Sequence, residues 1–392
     1  MIKVNAIEGI RGVACFMVVL SHLSLTFFPY LHGFSGTAGV ENQIQRFIYD
    51  SPLGFMYSGS SAVYIFFVLS GYILTFAAFK NNISKIISMS IKRYPRLMIP
   101  VVISCFLSLF FFSVFSMDKS RLPEWISTYG NFDYTLAGAA YSGTVGAFLT
   151  GDSLYNPVLW TMQTELIGSF VIFIMCFIKV KYQFKFVDFF VGLLLLLLLF
   201  FNAIAPGLAA GLIAFIVGHL FYIHGKAVKP VVSLPMLVLG LYLGGAHNES
   251  SSYSFIVSVL GEKAYIVANF LSGMMIVYSI IFSTNLSTVF SKKIFVFMGR
   301  VSFSVYLIHI PIISTVGVFV FNLLHDHFDY SSSAILSSIM SISLIYFLSI
   351  YYFKYVDNFA IIISGKFQIF IVGFFRKINL ARFKFNAADT HE

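Results

Sequence analysis

The sequence predicts an all-α polytopic membrane protein, a bundle of about ten transmembrane helices with both termini in the cytoplasm. Three observations lead to this prediction. Hydrophobic residues make up 58% of the 392 residues and charged residues only 10%, a balance far from that of soluble domains. Apolar segments of about 20 residues, the length that crosses a bilayer, recur along nearly the whole chain. The basic residues concentrate in alternate connecting segments, as the positive-inside rule requires.

Helices rather than barrel strands account for the apolar segments, because the runs are too long for strands and lack alternation with a period of two. Each predicted span is separated from the next by a shorter polar or mixed stretch. The ten spans lie near residues 10–28, 59–79, 97–116, 157–178, 186–203, 207–223, 231–246, 263–283, 303–324 and 332–353.

The distribution of charge supports this topology. If the N-terminus is cytoplasmic and the spans alternate, 21 of the 25 Lys and Arg residues fall in cytoplasmic segments. The four outward ones are Arg46, Lys119, Arg121 and Lys263. Topology and attraction to anionic membrane lipid therefore explain the net charge of +9, and no nucleic-acid partner is predicted.

One membrane domain is predicted over residues 1–354, followed by a basic amphipathic cytoplasmic tail over residues 355–392. The outer segments 29–58 and 117–156 are long and rich in Gly, Ser, Tyr and Phe. They either cover or re-enter the outer mouth of the bundle or serve as plain connectors. The first span is too long for a cleavable signal and lacks a small-residue cleavage site, so we expect it to remain as helix one.

Neither a disulfide framework nor a metal site is predicted. Each cysteine falls inside a predicted span, where a free Cys behaves as a small apolar residue. The stretch "HDHFD" at 325–329 lies on a short outer loop, where a solvated turn is favoured over a metal site. The three cysteines are Cys15, Cys105 and Cys176.

Helix one carries two ionisable groups in an apolar span. Arg11 and His22 are eleven positions apart, which is a rise of about 16.5 Å and only about 20° from three whole turns. Their shared face is expected to look into the bundle, because exposing a charge to lipid costs several kcal/mol. The alternatives are that Arg11 is a membrane-edge anchor paired with Glu8, and that His22 is a hydrogen-bonded packing residue.

Two further stretches carry small or basic residues. In helix two, Ser70 and Gly71 give a position at which a helix or a ligand approaches closely. Before helix three, Arg93 and Arg96 together with Arg11 could form one anion site, since guanidinium groups bind phosphate oxygens bidentately. Topology alone also predicts basic residues there.

Helices four and nine add polar groups inside the bundle. Glu165 is the only acid well inside a predicted span, so we expect it to be neutral, paired with a base such as His22 or His309, or hydrogen-bonded. Helix nine places Ser302, Tyr306 and His309 within two turns.

Taken together, five ordered motifs resemble the membrane-bound acyltransferase-3 family, multi-spanning enzymes that O-acylate bacterial surface glycans and related molecules. The resemblance runs from residue 7 to residue 311. The motifs are "IEGIRGVACFMVVLSH", "FFVLSGYILT", "RYPRLMIP", "LWTMQTE" and "SFSVYLIHIP".

The resemblance implies a stand-alone O-acetyltransferase of the bacterial inner membrane. Its donor would be cytoplasmic acyl-CoA, with acetyl-CoA expected, and its acceptor a surface glycan such as O-antigen or a lipid-linked glycan precursor. The chain departs from the family pattern at Glu8, where Asp is usual, and after Glu165, where an aromatic pair is missing. Both departures bear on substrate choice more than on activity.

Site residues follow from the motifs. Arg11 and His22 match the family's arginine and histidine signature, and Arg93 and Arg96 match its inner basic pair. His22 would act as general base or carry the acyl group, with Glu165 or His309 orienting its ring or stabilising the oxyanion. The predicted catalytic residues are His22, Glu165 and His309, the donor-binding residues Arg11, Ser70, Gly71, Arg93 and Arg96, and the acceptor-binding residues Trp160, Ser302 and Tyr306.

The competing class is a transporter or flippase of glycan or small-molecule substrates, in which polar residues at the midplane bind the substrate. No duplicated half is visible in the sequence, and the basic cluster lies on the inner side. Both observations favour the enzyme.

Overall fold

A computed structural model describes residues 2–34, 43–79, 83–115, 117–130 and 132–388. Within these ranges the regular structure is helical and contains no strand, as the apolar pattern predicts. The longer helices are α1 (Ile2–Phe27), α2 (Gly59–Phe79), α3 (Ile83–Val114), α4 (Thr161–Tyr182), α5 (Val187–Phe200), α6 (Pro206–His224), α7 (Pro230–Gly244), α8 (Ala264–Ile281), α9 (Lys293–Ile312), α10 (Tyr330–Tyr352) and α11 (Asn358–Ala388).

Eight helical stretches in the described chain are long and apolar enough to cross a membrane. The predicted spans near 186–203 and 231–246 form α5 and α7, which have 14 and 15 residues and are short for a crossing. The all-helical, multi-pass class is confirmed, whereas the count of ten spans and the side of the termini stay predictions. We call the end of the bundle at which α1 begins the inner end, and the opposite end the outer end.

At the centre of the bundle, α1 packs against α9 and α2, and α2 packs against α4, α6 and α8. Glycines let α1 and α9 approach at backbone distance. A Cβ atom on Gly12 would lie 2.6 Å from the backbone nitrogen of Gly299, and one on Gly299 would lie 1.9 Å from the carbonyl oxygen of Glu8. Because no larger residue fits, these glycines bring the two histidine-bearing helices into direct contact.

The predicted start of the third span, near residue 97, is wrong. Helix α3 begins at Ile83 and passes through Pro95 and Pro100, so Arg93 and Arg96 lie on a helix rather than in a loop. Hydropathy detects only the apolar part of this helix. Its inner part is held by ion pairs to neighbouring helices, which no local pattern reveals.

The two long outer segments fold into short helices. In the second segment, Ile126 is fully buried and its neighbour Trp125 contacts the His22 ring of α1, so this part covers the outer end of the bundle. Residues 35–42 of the first segment lie outside the described residues. The short helices are Pro29–His32, Gln43–Asp50, Pro52–Tyr57, Glu124–Thr128, Leu136–Tyr141, Ser142–Gly146 and Ala147–Leu149.

Helix α10 continues into α11 through a π-helical turn, Phe353–Asp357. The predicted boundary at residue 354 therefore falls inside a continuous helix. Asp357 is only 2% exposed and contacts α3, so the first residues of the predicted tail pack with the bundle. The division into residues 1–354 and 355–392 itself stays a prediction.

Two acids of the "HDHFD" stretch form structural contacts, and the cysteines are buried without disulfide bonds. Asp326 pairs with Arg121 at 3.1 Å, and Asp329 caps α10 by accepting a hydrogen bond from the Ser332 backbone N–H at 3.1 Å. Among the described residues, no group of three or more His, Cys, Asp or Glu side chains could hold a metal ion. The buried, unpaired cysteines are Cys15, Cys105 and Cys176.

Candidate active site

Two histidines meet where α1 faces α9. His22 Nδ1 lies 3.1 Å from His309 Nε2, and the two ring centroids are 5.0 Å apart. His309 is fully buried. The face of helix one that carries His22 therefore does look into the bundle.

Hydrogen-bond partners assign the proton on each ring. His309 Nδ1 lies 3.1 Å from the carbonyl oxygen of Val305 and 2.9 Å from that of Tyr306, so it donates and His309 Nε2 accepts. His22 Nδ1 must then donate to His309 Nε2 and to the carbonyl oxygen of Val18 at 3.0 Å. This tautomer leaves His22 Nε2 as the basic nitrogen.

The outer cavity, as we name it, has a volume of about 310 Å³ and is lined by His22. Trp160 also lines it and is 46% exposed. Trp125 from the outer segment stacks on the His22 ring at a centroid distance of 5.8 Å and an angle of 30°. The further lining residues include Ser21, Tyr64, Tyr265 and Tyr306.

Towards the inner end lies a second space, the inner cavity, of about 260 Å³. It collects most of the polar residues that the sequence singled out, from five different helices. Those residues are Arg11, Ser70, Arg93, Arg96, Glu165, Ser302 and Tyr306.

Ion pairs hold the polar groups of the inner cavity. Arg11 pairs with Glu8 at 3.3 Å, as one turn of helix allows. Glu165 forms a close ion pair with Arg93 and accepts a hydrogen bond from Ser70 Oγ at 2.9 Å. The predicted hydrogen bonding of Glu165 is confirmed, and its charged partner is an arginine rather than an imidazole. The side chain that contacts the His22 ring is His309.

The third guanidinium pairs with an acid that the sequence analysis did not single out. Arg96 lies 3.3 Å from Asp357, which also accepts a hydrogen bond from Ser304 Oγ at 3.2 Å. Asp357 stands a few residues past the last apolar span, so hydropathy gives no sign of it. Each guanidinium has five N–H donors and one carboxylate uses at most two, so donors remain for phosphate oxygens.

The two cavities are adjacent and share part of their lining. Val63, Phe67 and Tyr306 line both of them. The Tyr306 hydroxyl lies 2.8 Å from Thr161 Oγ1 and donates to the carbonyl oxygen of Val158 at 2.9 Å. The guanidinium groups and His22 therefore line adjacent cavities that have three side chains in common.

Gly71 lies outside both cavities. A Cβ atom there would be 2.0 Å from the carbonyl oxygen of Phe215, so the glycine lets α2 approach α6. Close packing at this position is confirmed, while a role in donor binding stays a prediction. Its neighbour Ser70 does face the inner cavity.

A second buried polar cluster ties α2, α4, α5 and α6 together. His219 is fully buried and lies 2.9 Å from Thr75 Oγ1, while Asp188 bonds both His219 at 3.1 Å and Lys179 at 2.5 Å. None of these four residues lines the inner or the outer cavity. The cluster joins helices and is separate from the candidate site.

Two more histidines lie beside the outer cavity among tyrosine rings. His247 stacks with Tyr57 and contacts Tyr265, which lines the cavity. Burial lowers the pKa of His247 to about 4. Burial and the neighbouring His247 lower the pKa of His32 to about 3, so both rings are neutral at pH 7.

Comparison with known proteins identifies the family of the chain. The acyltransferase-3 family model, described as an acyltransferase domain, matches residues 4–353. A curated relative, the O-acetyltransferase PaAT-1 of Phomopsis amygdali, is 24% identical over 370 residues, covering 79% of this chain and 72% of the relative. No solved structure matches the chain. Because the family model covers nearly the whole bundle, the chain belongs to the acyltransferase-3 family of membrane proteins.

Proposed function

We propose that the protein is an O-acetyltransferase of a bacterial inner membrane. It moves an acetyl group from cytoplasmic acetyl-CoA to a hydroxyl of a surface glycan, such as O-antigen or its lipid-linked precursor. One observation carries the proposal: a cavity with three guanidinium groups and a cavity with a basic imidazole are adjacent and share three lining side chains.

The inner cavity suits a phosphorylated donor. Guanidinium groups bind phosphate oxygens in a bidentate fashion, and Arg11, Arg93 and Arg96 converge there. Their carboxylate partners hold the guanidinium planes in place and leave further N–H donors unused. The acetyl end of the donor points towards the outer cavity.

The outer cavity suits the acceptor hydroxyl. His22 Nε2 takes the proton of the acceptor hydroxyl while the hydroxyl oxygen attacks the carbonyl carbon of the thioester. The C–S bond then breaks, and the protonated imidazole returns the proton to the leaving CoA thiolate. His309 accepts a hydrogen bond from the His22 Nδ1–H throughout, which leaves His22 Nε2 unprotonated, and we favour the general-base role over a covalent acyl-histidine.

In this proposal, donor and acceptor meet at the side chains that line both cavities. The thioester passes Phe67 and Tyr306 to reach His22. Tyr306 is held in place by its hydrogen bonds to Thr161 and Val158.

The experiment is transfer of label from acetyl-CoA to purified surface polysaccharide in membranes that contain the protein. We expect His22→Ala to lower transfer by about a thousandfold or more, with the protein still present in the membrane. The matched control is His327→Ala, an exposed histidine on the outer turn. Transfer that survives His22→Ala, or substrate counterflow without any transfer, would overturn the proposal, the latter in favour of a transporter.

A further inference from the structure

The outer and inner cavities differ in charge. The inner cavity contains three arginines and a glutamate, whereas the described lining of the outer cavity contains no Lys, Arg, Asp or Glu. The one imidazole in that lining is His22, which the proposed function requires as a neutral ring, because a general base must be unprotonated. The outer cavity therefore offers hydroxyl groups and aromatic rings but no counter-ion.

Hydroxyl groups and aromatic rings surround the space on several sides. Ser21 and Ser60 bring hydroxyls from α1 and α2, and Tyr265 brings a ring and a hydroxyl from α8. Trp160 presents a large, partly exposed indole. Such a lining suits a molecule with apolar C–H faces and many hydroxyl groups. The aromatic rings of the lining stack on the C–H faces, and its hydroxyl groups form hydrogen bonds with the hydroxyl groups of the molecule.

We propose that the acceptor unit that enters the outer cavity is an uncharged sugar ring, rather than a uronate, a phosphorylated sugar or an amino sugar, and that Trp160 and Tyr265 recognise it. The inference rests on the proposed function and narrows its substrate class. Tyr265 has no signal in the sequence that would mark it as a binding residue.

A charged ring is disfavoured by desolvation. A carboxylate or phosphate in this cavity would lose its hydration and meet no cation, and an ammonium group would meet no carboxylate. Arg11, Arg93 and Arg96 line the other cavity, and each already has a carboxylate partner. His32 and His247, next to the cavity, are neutral at pH 7 and provide no positive charge.

The chain carries its own probe for this cavity. It has two tryptophans, Trp125 stacked on His22 and Trp160 in the outer lining, while the described lining of the inner cavity has none. Tryptophan fluorescence therefore reports occupancy of the outer cavity independently of catalysis.

The test is a fluorescence titration of the full-length protein in detergent with matched pairs of methyl glycosides. Each pair compares a neutral sugar of the gluco, galacto or manno series with its uronate. The two differ only in that the uronate has a carboxylate where the neutral sugar has a CH₂OH group. We expect saturable binding of at least one neutral sugar, with its uronate weaker by about tenfold or more. Equal or tighter binding of the uronates, or no saturable change with any sugar, would overturn the inference.

A variant pair tests whether the signal arises in this cavity. Gly207 lines the outer cavity, and a Cβ atom there would have no other atom within 4 Å, so Gly207→Leu adds a side chain to open space. We expect it to weaken sugar binding by about tenfold, while Gly192→Leu, an equally open position outside both cavities, leaves binding unchanged. Unchanged binding in Gly207→Leu would also overturn the inference.

Failure of the inference and of the proposed function are distinguishable. Transfer of label from acetyl-CoA to the cell's own glycan requires no model sugar. If that transfer occurs but falls mainly on charged residues of the glycan, the inference alone fails. If no transfer occurs at all, the proposed function fails.

Discussion

Among single residues, the pair of imidazoles carries the acid–base chemistry. His309 is held by two backbone carbonyls at the end of α9, and its Nε2 lone pair faces His22 Nδ1. This is the arrangement in which a second group holds a general base in the required tautomer and orientation. His309 is therefore a positioning residue that acts through His22.

Replacing His309 tests this role. We expect His309→Ala to lower kcat by about 10²- to 10³-fold, because the His22 ring loses the acceptor that orients it, with little change in the KM for acetyl-CoA. His309→Gln, whose side-chain oxygen accepts a hydrogen bond near the position of Nε2, should recover part of the loss. Initial rates of label transfer measure both variants, and a His309→Ala enzyme within twofold of wild type would contradict the assignment.

The ion pair between Arg96 and Asp357 contributes to the stability of the bundle. Asp357 is 2% exposed, so Arg96→Ala leaves a buried carboxylate with only the Ser304 hydroxyl. We expect a loss of about 3 kcal/mol in the free energy of unfolding. Asp357→Asn in the same chain should restore most of it, because an amide needs no counter-ion.

Thermal unfolding of the detergent-solubilised protein measures this effect. The two single variants and the double variant complete a cycle that isolates the pair. If Arg96→Ala is as stable as wild type, the ion pair contributes nothing and Asp357 has another partner.

For the helices, the contact between α1 and α9 decides whether the histidines meet. Gly12 on α1 and Gly299 on α9 leave no room for a side chain between the two backbones. Gly12 directly follows Arg11, which lines the inner cavity. The same short interhelical distance sets the 3.1 Å contact between His22 and His309 further along the helices.

Gly299→Ala is the corresponding prediction. Its Cβ atom would lie 1.9 Å from the carbonyl oxygen of Glu8, so the helices have to separate. We expect a cost of about 2 kcal/mol or more in stability and a larger loss of transfer activity, because the histidine contact opens. Gly365→Ala, where a Cβ atom meets nothing within 4 Å, is the control.

Unfolding temperature and transfer rate, measured on the same preparations, check this prediction. Wild-type activity in Gly299→Ala would show that the helix contact is not needed to bring the imidazoles together.

The whole molecule has to place the donor and the acceptor on opposite sides of one membrane. That placement depends on α1 to α4 and α9, which line most of both cavities, and not on whether the short helices α5 and α7 also cross. If neither crosses, both termini stay on one side, but the connections before and after α6 change sides. Two exposed alanines report on this: Ala203 before α6 and Ala227 after it.

Cysteine labelling in intact cells distinguishes the topologies. With ten spans, we expect Ala203→Cys to react with a membrane-impermeant maleimide from outside and Ala227→Cys only after permeabilisation. With eight spans we expect the reverse: Ala227→Cys reacts from outside, and Ala203→Cys reacts only after permeabilisation. The three native cysteines are buried and give little background.

Much of the fold was predictable because it depends on local chemistry. Composition and the length of the apolar runs determine the membrane class and the positions of most helices. The 3.6-residue period places Arg11 and His22 on one face and brings Glu8 within reach of Arg11. The inner end of α3 was missed, because partners on other helices and not local hydropathy hold it.

Only the tertiary structure decided which groups meet. His22 and His309 are 287 positions apart and Arg96 and Asp357 are 261 apart, so their contacts depend on how each helix is rotated and on how closely glycines let the backbones approach. The same packing pairs Glu165 with Arg93 instead of an imidazole, and divides the site into a charged and an uncharged cavity. A sequence states which side chains face inward, but the distances between those side chains are set by the neighbouring helices.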